Sequence, residues 1–413
     1  MTHPLSIIVI GGGAAGFFGA ITCAQANPEA KVILLEKTRQ PLAKVRISGG
    51  GRCNVTHACF EPRLLTEHYP RGNKALRGPF SRFQPRDTIQ WFESRGVPLK
   101  VESDGRMFPT TNSSESIIQC LQNQARQANV EVRTESGVTQ LEVLPKGFSL
   151  TLANEEVLTC DRLLIATGSA PKVYEWLKTL GHTIQSAVPS LFTFNVPESP
   201  FIDLSGISLA KVHLKILGTS LEQSGPLLIT HWGFSGPAVL KLSAWGARVL
   251  HEKQYQATVQ INWLPDSNRD EVRQRLLNAK LDYAARQISN ECPFDIPRNL
   301  WRKFLAIAAI PEEMRWAMLS KAQLERLLLE LNAGSYHIRG KTTYKEEFVT
   351  CGGVTLEEVN FKTMESRLVP GLFFAGEVLD IDGVTGGFNF QNAWTTGWLA
   401  GQAMSEDIFE NRI

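Results

Sequence analysis

The run Gly11-Gly12-Gly13-Ala14-Ala15-Gly16 stands directly behind an apolar, β-branched stretch, Leu5 to Ile10. A short apolar run bounded by glycines reads as a buried strand. Phe17 to Ala26 has helical composition, and Lys31 to Glu36 (KVILLE) reads as a second buried strand. Strand, turn, helix and strand make one βαβ unit, expected to be parallel and right-handed. Gly11 allows the tight turn, Gly13 lets backbone approach a pyrophosphate, and Gly16 lets the helix pack close to the strand. The helix that opens at Ala14 and Ala15 offers N–H groups and partial positive charge to phosphates. Glu36 lies 20 residues beyond Gly16. There its carboxylate can accept the hydroxyls of an adenosine ribose, with Lys37 counted in the same site, and would repel a phosphorylated ribose.

Two more glycine clusters follow. In Arg46-Ile47-Ser48-Gly49-Gly50-Gly51-Arg52-Cys53-Asn54, consecutive glycines let backbone lie against a planar ligand or form an anion nest. Arg46 and Arg52 bring charge that can meet a pyrophosphate or a reduced, anionic flavin. Near the C-terminus, the strand-like Leu372 to Ala375 ends at Gly376-Glu377. Asp380, Asp382, Gly383, Gly386, Gly387, Phe388, Asn389 and Gln391 come next, and Ala393 to Met404 reads as a small-residue helix. An acid delivered to a glycine turn suits a ribityl chain, and the helix N-terminus suits the flavin pyrimidine carbonyl. Ile165-Ala166-Thr167-Gly168 adds a further strand-to-turn crossing. Together these clusters point to bound FAD.

Between them, residues 40–60 read as a long loop and Ser113 to Ala128 as a helix started by Asn112 and Glu115. Short strands are expected at 130–133, 138–144, 148–152, 157–159 and 162–167. Residues 188–268 hold strand-like runs and 269–344 read as helical, with the glycine-rich texture returning at 345. The expected organisation is a split α/β domain, 1–187 plus 345–413, with a β-rich insert (188–268) and a helical insert (269–344).

With 43 basic and 41 acidic side chains the net charge is +2, which excludes a polybasic protein but not a local patch. Hydrophobic residues at 43% exclude intrinsic disorder. No apolar run approaches the ~18 residues of a membrane span, and the N-terminus lacks a basic leader, so a secretory signal is not expected. The 7 cysteines show no CxxC pair and no zinc spacing, so no metal is expected and a cytoplasmic, reducing setting is.

The sequence resembles the family of FAD-dependent oxidoreductases that includes bacterial bile-acid reductases and a ribosomal-RNA dihydrouridine synthase. The matching pieces are GGGAAG, RISGGGRCNVT, ATGS, LITHWGFSGPAVL and the long stretch TCGGVTLEEVNFKTMESRLVPGLFFAGEVLDIDGVTGGFNFQNAWTTG. The resemblance implies a glutathione-reductase-like FAD-binding Rossmann domain with an inserted substrate region. It implies FAD contacts at Gly11 to Gly16, Glu36, Arg52, Val138 and Gly376 to Gln391. The implied activity is reduction of a carbon–carbon double bond conjugated to a carbonyl. Ser169 departs from relatives that carry a second glycine there.

Such a reduction needs a proton donor. Cys53 beside the triple glycine, His231 in Thr230-His231-Trp232-Gly233-Phe234-Ser235-Gly236-Pro237, and Cys351 before Gly352-Gly353 are the candidates. Ser235 can cap and Pro237 open a helix that would turn His231 toward the cleft. Residues 69–86 carry Arg71, Lys74, Arg77, Arg82 and Arg86 with no acid among them, interleaved with Tyr69, Phe80 and Phe83. Such a segment can grip phosphates and stack bases. RNLWRKF (298–304) and YHIRGKTTY (336–344) are similar. The leading expectation is a reductase making dihydrouridine in ribosomal RNA. A reductase of small enoates or steroids is the second, and a non-catalytic flavin-bound RNA factor the third. No second GxGxxG marks a nicotinamide site, so the expected electron donor is NADH or NADPH docking transiently over the flavin, or else another protein.

Overall fold

The computed structural model describes residues 4–342 and 349–406. It divides into two units, Met1–Val188 with Lys345–Ile413, and Pro189–Tyr344.

The first unit is built on a seven-stranded sheet. Glu131–Arg133, Lys31–Leu35, Ser6–Ile10, Arg162–Ile165 and Leu372–Phe374 lie side by side and parallel, and Glu365–Ser366 and Val359–Asn360 extend the sheet antiparallel. Chain order reverses between Ser6–Ile10 and Arg162–Ile165. Ligands of open α/β sheets bind at such a switch point, outside the carboxyl ends of the strands. Ile10 pairs with Leu35 on one side and Ile165 on the other, and Ile165 pairs with Phe374. Gly11, Glu36, Ala166 and Ala375 therefore leave the sheet along one edge. The central strands are apolar on both faces, as buried parallel strands must be: Ile7, Ile8, Val9, Leu163, Leu164 and Ile165 are fully buried.

The helix Ala14–Ala26 is buried at every position from Ala15 to Ala24 and packs along the C-terminal helix Phe388–Ser405. Glycines set the spacing of the pair. A Cβ on Gly397 would stand 2.7 Å from the Ala15 carbonyl oxygen, and one on Gly401 2.6 Å from that of Gly19. Those distances are too short for a side chain, so the two backbones touch directly.

Two local expectations change. Residues 40–60 are not all loop: Ala43–Gly51 is helical, interrupted at Ser48, Gly49 and Gly50 because the glycines take left-handed angles (φ 58° and 66°). The helix expected from Ser113 runs Ser114–Gln127, with Ser113 as its cap accepting from the Glu115 N–H at 3.3 Å, while Asn112 turns left-handed at φ 54°.

The second unit is a seven-stranded antiparallel sheet ordered Gly334–Arg339, Gln256–Asn262, Ser208–Ile216, Glu222–Thr230, Gly233–Ser235, Thr193–Asn195 and Lys341–Thr342. Its strands alternate buried and exposed, so one face needs a cover. The helices Pro237–Trp245 and Lys321–Ala333 pack on the strands, and Arg269–Asp282 and Arg298–Ile307 pack on Lys321–Ala333. Phe201, Phe234, Trp263, Trp301, Phe304 and Leu327 share a single core. The boundary expected at 268/269 is therefore not a domain boundary, because neither texture closes a core alone. The return to the first unit expected at 344/345 lies outside the described residues.

Candidate functional site

The glycine turn behaves as its spacing requires. Gly11 has φ 113°, and a Cβ there would meet the Ala166 carbonyl oxygen at 2.5 Å. A Cβ on Gly16 would stand 1.9 Å from the Gly11 carbonyl oxygen. Nothing lies within 4 Å of the Cβ position of Gly13, the N-cap of the Ala14 helix. That helix has no side-chain cap and no acid in its first turn, so its first N–H groups face an open glycine. Glu36 is more committed than expected. Its Oε2 accepts from the Gly12 N–H at 2.9 Å, and its Oε1 accepts from the Thr38 N–H and hydroxyl at 2.8 and 2.7 Å. A carboxylate offers about four acceptor positions, so one remains on Oε2. Beside it, the Ser136 N–H donates to the Glu36 carbonyl oxygen, and Gly137 rests on Lys37. That contact brings Val138, the first residue of strand Val138–Val143, to the same end of the edge.

The second cluster joins this edge. The Leu42 N–H donates to the Gly12 carbonyl oxygen at 2.8 Å, so the Ala43–Gly51 helix starts beside the first turn. Lys44 reaches Glu377 at 2.7 Å. Arg46 pairs with Glu115, and its carbonyl oxygen accepts from the Ser114 hydroxyl at 2.8 Å. The Ser48 hydroxyl donates to the Val45 carbonyl oxygen. Gly50 and Gly51 both have positive φ and nothing within 4 Å of their Cβ positions. Gly49 by contrast packs on Phe108 and Asn54.

The third cluster closes on the second. Asn54 donates to the Thr56 carbonyl oxygen at 3.0 Å and accepts from the Gly387 N–H at 3.0 Å. The Trp394 indole N–H donates to the Val55 carbonyl oxygen at 2.9 Å. Gly376 has φ 75°, packs on Ala15 and donates to Thr396 Oγ1 at 2.9 Å. Gly168 has φ 63°, with Glu377 Oε2 3.7 Å from its Cβ position. The Ser169 hydroxyl bonds Thr350 Oγ1 at 2.9 Å. Gly11–Gly16, Glu36, Ala166, Thr167, Gly168, Gly50, Gly51, Gly376 and Gly387 thus belong to one assembly in the first unit.

Other expected residues have partners within the protein. Arg52 pairs with Glu102 at 2.6 Å and lies 4.0 Å over the Phe108 ring. Asp382 is fully buried with both oxygens held by Arg71, Nε at 2.5 Å and Nη2. Asn389 locks its own loop, accepting from the Gly383 N–H at 2.7 Å and donating to the Gly383 carbonyl oxygen at 2.9 Å. Cys53 is fully buried, and burial pushes its thiol up to about 12. A weak, enclosed acid is a poor proton donor at neutral pH. Cys351 is also fully buried. His231 is exposed on a turn of the second unit. The helix after it starts at Pro237 with Gly236 as cap, while Ser235 stays in the strand.

The aromatic residues of 69–86 cannot stack on bases: Tyr69 and Phe80 are fully buried and Phe83 is 4% exposed. Arg71 is spent on Asp382. Lys74, Arg77, Arg82 and Arg86 remain exposed. In the second unit Lys303 pairs with Asp203, Arg302 with Glu312 and Arg339 with Glu198, while Trp301, Phe304 and Tyr336 are core. Thr343 and Tyr344 lie outside the described residues.

Gln391, expected near the cofactor, is fully buried, and its partners escaped the sequence reading. Gln391 Oε1 accepts from the Thr56 and Thr88 hydroxyls at 2.6 and 3.0 Å, and its amide donates to Thr395 Oγ1 at 3.0 Å. The partners come from positions 56 to 395, so no local pattern could announce them. His57 and His68 also went unremarked. Both rings stack on Phe388, with centroids 4.7 and 4.2 Å away.

The residues present fit an extended dinucleotide. The helix N-terminus is uncapped, three glycine faces are open, and the Arg46 Nε is buried with no hydrogen-bond partner. Leaving such a donor unsatisfied costs about 1–3 kcal/mol, so a bound acceptor would be stabilised there. Among the described residues no group of three or more His, Cys, Asp or Glu could hold a metal, and no helix is long and apolar enough to cross a membrane.

Known proteins share this frame. The family model described as HI0933-like protein Rossmann domain matches residues 5–403. A 3-dehydro-bile acid delta(4,6)-reductase of Clostridium scindens is 30% identical, with 96% of this chain and 98% of the relative covered. A ribosomal RNA dihydrouridine synthase of Escherichia coli is also 30% identical, with 96% of each chain covered. Among solved structures, the 3-ketosteroid-delta4-(5alpha)-dehydrogenase of Rhodococcus jostii RHA1 aligns with a TM-score of 0.51 at 13% identity over 98% of both chains, a likeness of fold. The chain belongs to the HI0933-like family of flavin-dependent oxidoreductases and carries its Rossmann-type FAD-binding domain.

Proposed function

We propose that the protein reduces an activated C=C bond and that its substrate is uridine in 23S ribosomal RNA, converted to dihydrouridine. FAD, when bound, supplies the hydride equivalent for such a reduction. The chain's own residues hold the cofactor and the substrate. The N–H groups behind Gly13 receive the pyrophosphate, and Glu36 accepts a ribose hydroxyl at its remaining Oε2 position. Gly50 and Gly51 allow close approach of a flat ring system, and Gly386, Gly387 and the helix N-terminus behind them face the flavin end. Cys53 and Asp382, fully buried, act from behind this surface, whereas Arg52 and Asn389 are partly exposed and are kept among the FAD contacts. NADH or NADPH serves as transient electron donor, and the reaction runs in the cytoplasm.

The exposed series Lys74, Arg77, Arg82 and Arg86 carries the RNA reading. The helices Asn73–Arg82 and Pro85–Glu93 present these cations without an acid from 69 to 86. A run of unneutralised cations suits a phosphate backbone and has no use toward a small neutral enone. Two ribosomal RNA dihydrouridine synthases among the relatives support the same assignment. The bile-acid reductase, equally similar, supports a second reading in which the substrate is a small α,β-unsaturated carbonyl compound.

Nucleoside mass analysis of ribosomal RNA from cells lacking the gene decides between them. Loss of a dihydrouridine, restored by the wild-type gene, is expected. Unchanged dihydrouridine together with NADH- or NADPH-driven turnover of free enoates would replace the first reading by the second.

A further inference from the structure

Five successive residues, His68 to Gly72, run along the loop Ile381–Phe388 and touch it nearly residue by residue. The His68 carbonyl oxygen accepts from the Val384 N–H at 2.9 Å, and the His68 ring stacks on Phe388. The Tyr69 hydroxyl donates to the Phe388 carbonyl oxygen at 2.6 Å, and both groups are buried. Arg71 forms an antiparallel bridge with Asp382 and grips its carboxylate through Nε and Nη2. Gly72 has φ 82°, and a Cβ there would stand 2.6 Å from Ile381 Cγ1. From the loop's own side, Asn389 closes a ring of bonds with Gly383.

This alignment places Arg71 and Tyr69 in a different class from Lys74 and Arg77. The latter are solvated, whereas Arg71 is 11% exposed at its side chain and Asp382 is not exposed at all. A buried Arg–carboxylate fork fixes direction as well as distance, because both guanidinium donors must meet both oxygens. The loop it fixes leads into Gly386 and Gly387, whose positive φ angles of 133° and 92° precede the C-terminal helix, with Gly387 as its cap. Left alone, a segment carrying Gly383, Gly386 and Gly387 would sample many conformations.

We propose that His68–Gly72 is a clamp that holds Ile381–Phe388 in the conformation required by the flavin end of FAD, with Arg71 and Tyr69 as its positioning residues. The inference rests on the assignment of Gly386 and Gly387 to the FAD site. The clamp touches neither substrate nor reacting atoms. It acts by presenting the loop already ordered, so that binding does not have to order it.

Arg71→Lys and Tyr69→Phe test the clamp. Lysine keeps the charge but lacks the fork, and phenylalanine keeps the ring in its packing while deleting one hydroxyl. Purified wild-type and variant proteins are stripped of flavin and titrated with FAD by fluorescence. The reduction potential and visible spectrum of the bound flavin are then measured, and melting of the apo forms is recorded alongside. The expected result is weaker FAD binding, about fivefold for Tyr69→Phe from the loss of one buried hydrogen bond and about tenfold or more for Arg71→Lys. A shifted flavin potential should accompany it. Should Arg71→Lys fail to fold, Tyr69→Phe still decides. Binding within twofold of wild type and an unchanged potential would overturn the clamp even if melting temperatures fell, since that pattern is stabilisation alone. A wild-type protein that binds no FAD would instead overturn the FAD reading and the clamp together.

Discussion

Gly13→Ala and Gly16→Ala change the same turn by the same methyl group, and the structure assigns them opposite consequences. At Gly16 the new Cβ would lie 1.9 Å from the Gly11 carbonyl oxygen. Backbone must move to admit it, and the helix Ala14–Ala26 must lift from the strand Ser6–Ile10. Forced overpacking of this kind costs about 1–3 kcal/mol, and the apo protein should lose that amount in urea unfolding. At Gly13 no atom lies within 4 Å of the new Cβ, and φ is −90°, which any residue adopts. The exchange of a Gly for an Ala cap costs about 0.5 kcal/mol, so apo stability should barely change. The methyl group would, however, occupy the space through which a pyrophosphate reaches the helix N–H groups. Losing one charge-assisted hydrogen bond there costs about 1.5–3 kcal/mol, or at least tenfold in FAD affinity. Urea unfolding of the apo forms and fluorescence titration with FAD supply both axes. If Gly13→Ala binds FAD as tightly as wild type, or destabilises the apo protein as much as Gly16→Ala, the open face of Gly13 is not the phosphate site.

Lys74→Glu combined with Arg77→Glu should abolish ribosomal RNA modification while leaving the flavin content of the purified protein intact. The salt dependence of RNA binding should fall in slope by about 0.7–0.9 for each cation removed, which filter binding at several salt concentrations would read. Glu36→Gln keeps a hydrogen-bonding shape but loses the charge that holds the Gly12 and Thr38 N–H groups. Its FAD affinity should drop by about tenfold, measured by the same titration. Cys53→Ser should retain turnover within a few-fold, and a loss of about a hundredfold or more in steady-state rate would restore the thiol as proton donor. Alkaline unfolding gives a further check on Cys53. Burial raises its folded pKa from 9.0 to about 12, so its contribution is complete below pH 9 and is lost as pH rises toward 12. Cys53→Ala should flatten the decline of stability across that window.

Much of the cofactor half was legible because its signals are local. A short apolar run, a glycine at a fixed offset and an acid 20 residues further on are separated by one turn and one helix. Backbone sterics act within that range, so the tight turn at Gly11 and the close packing at Gly16 could be read in order. The same locality misled at 40–60, where a glycine-rich stretch reads as loop although Ala43–Gly51 starts as helix and breaks only at Ser48. In 69–86, charge and aromatic content are visible along the chain but exposure is not. The three aromatics proved to be core, and Arg71 proved to be a buried partner of Asp382, 311 positions away.

The sequence by itself determined the βαβ entry, the places where backbone must come without side chains, and the family to which those places belong. Tertiary structure alone decided which charges are free and which are spent, that the strand-rich and helical inserts share one core, and that residues 54–72 grip the loop before the C-terminal helix. The physical reason is the range of the forces involved. Steric permission for a glycine turn depends on neighbours in the chain. Burial, ion pairing and hydrogen-bond satisfaction depend on neighbours in space, and those are settled only when distant segments have packed.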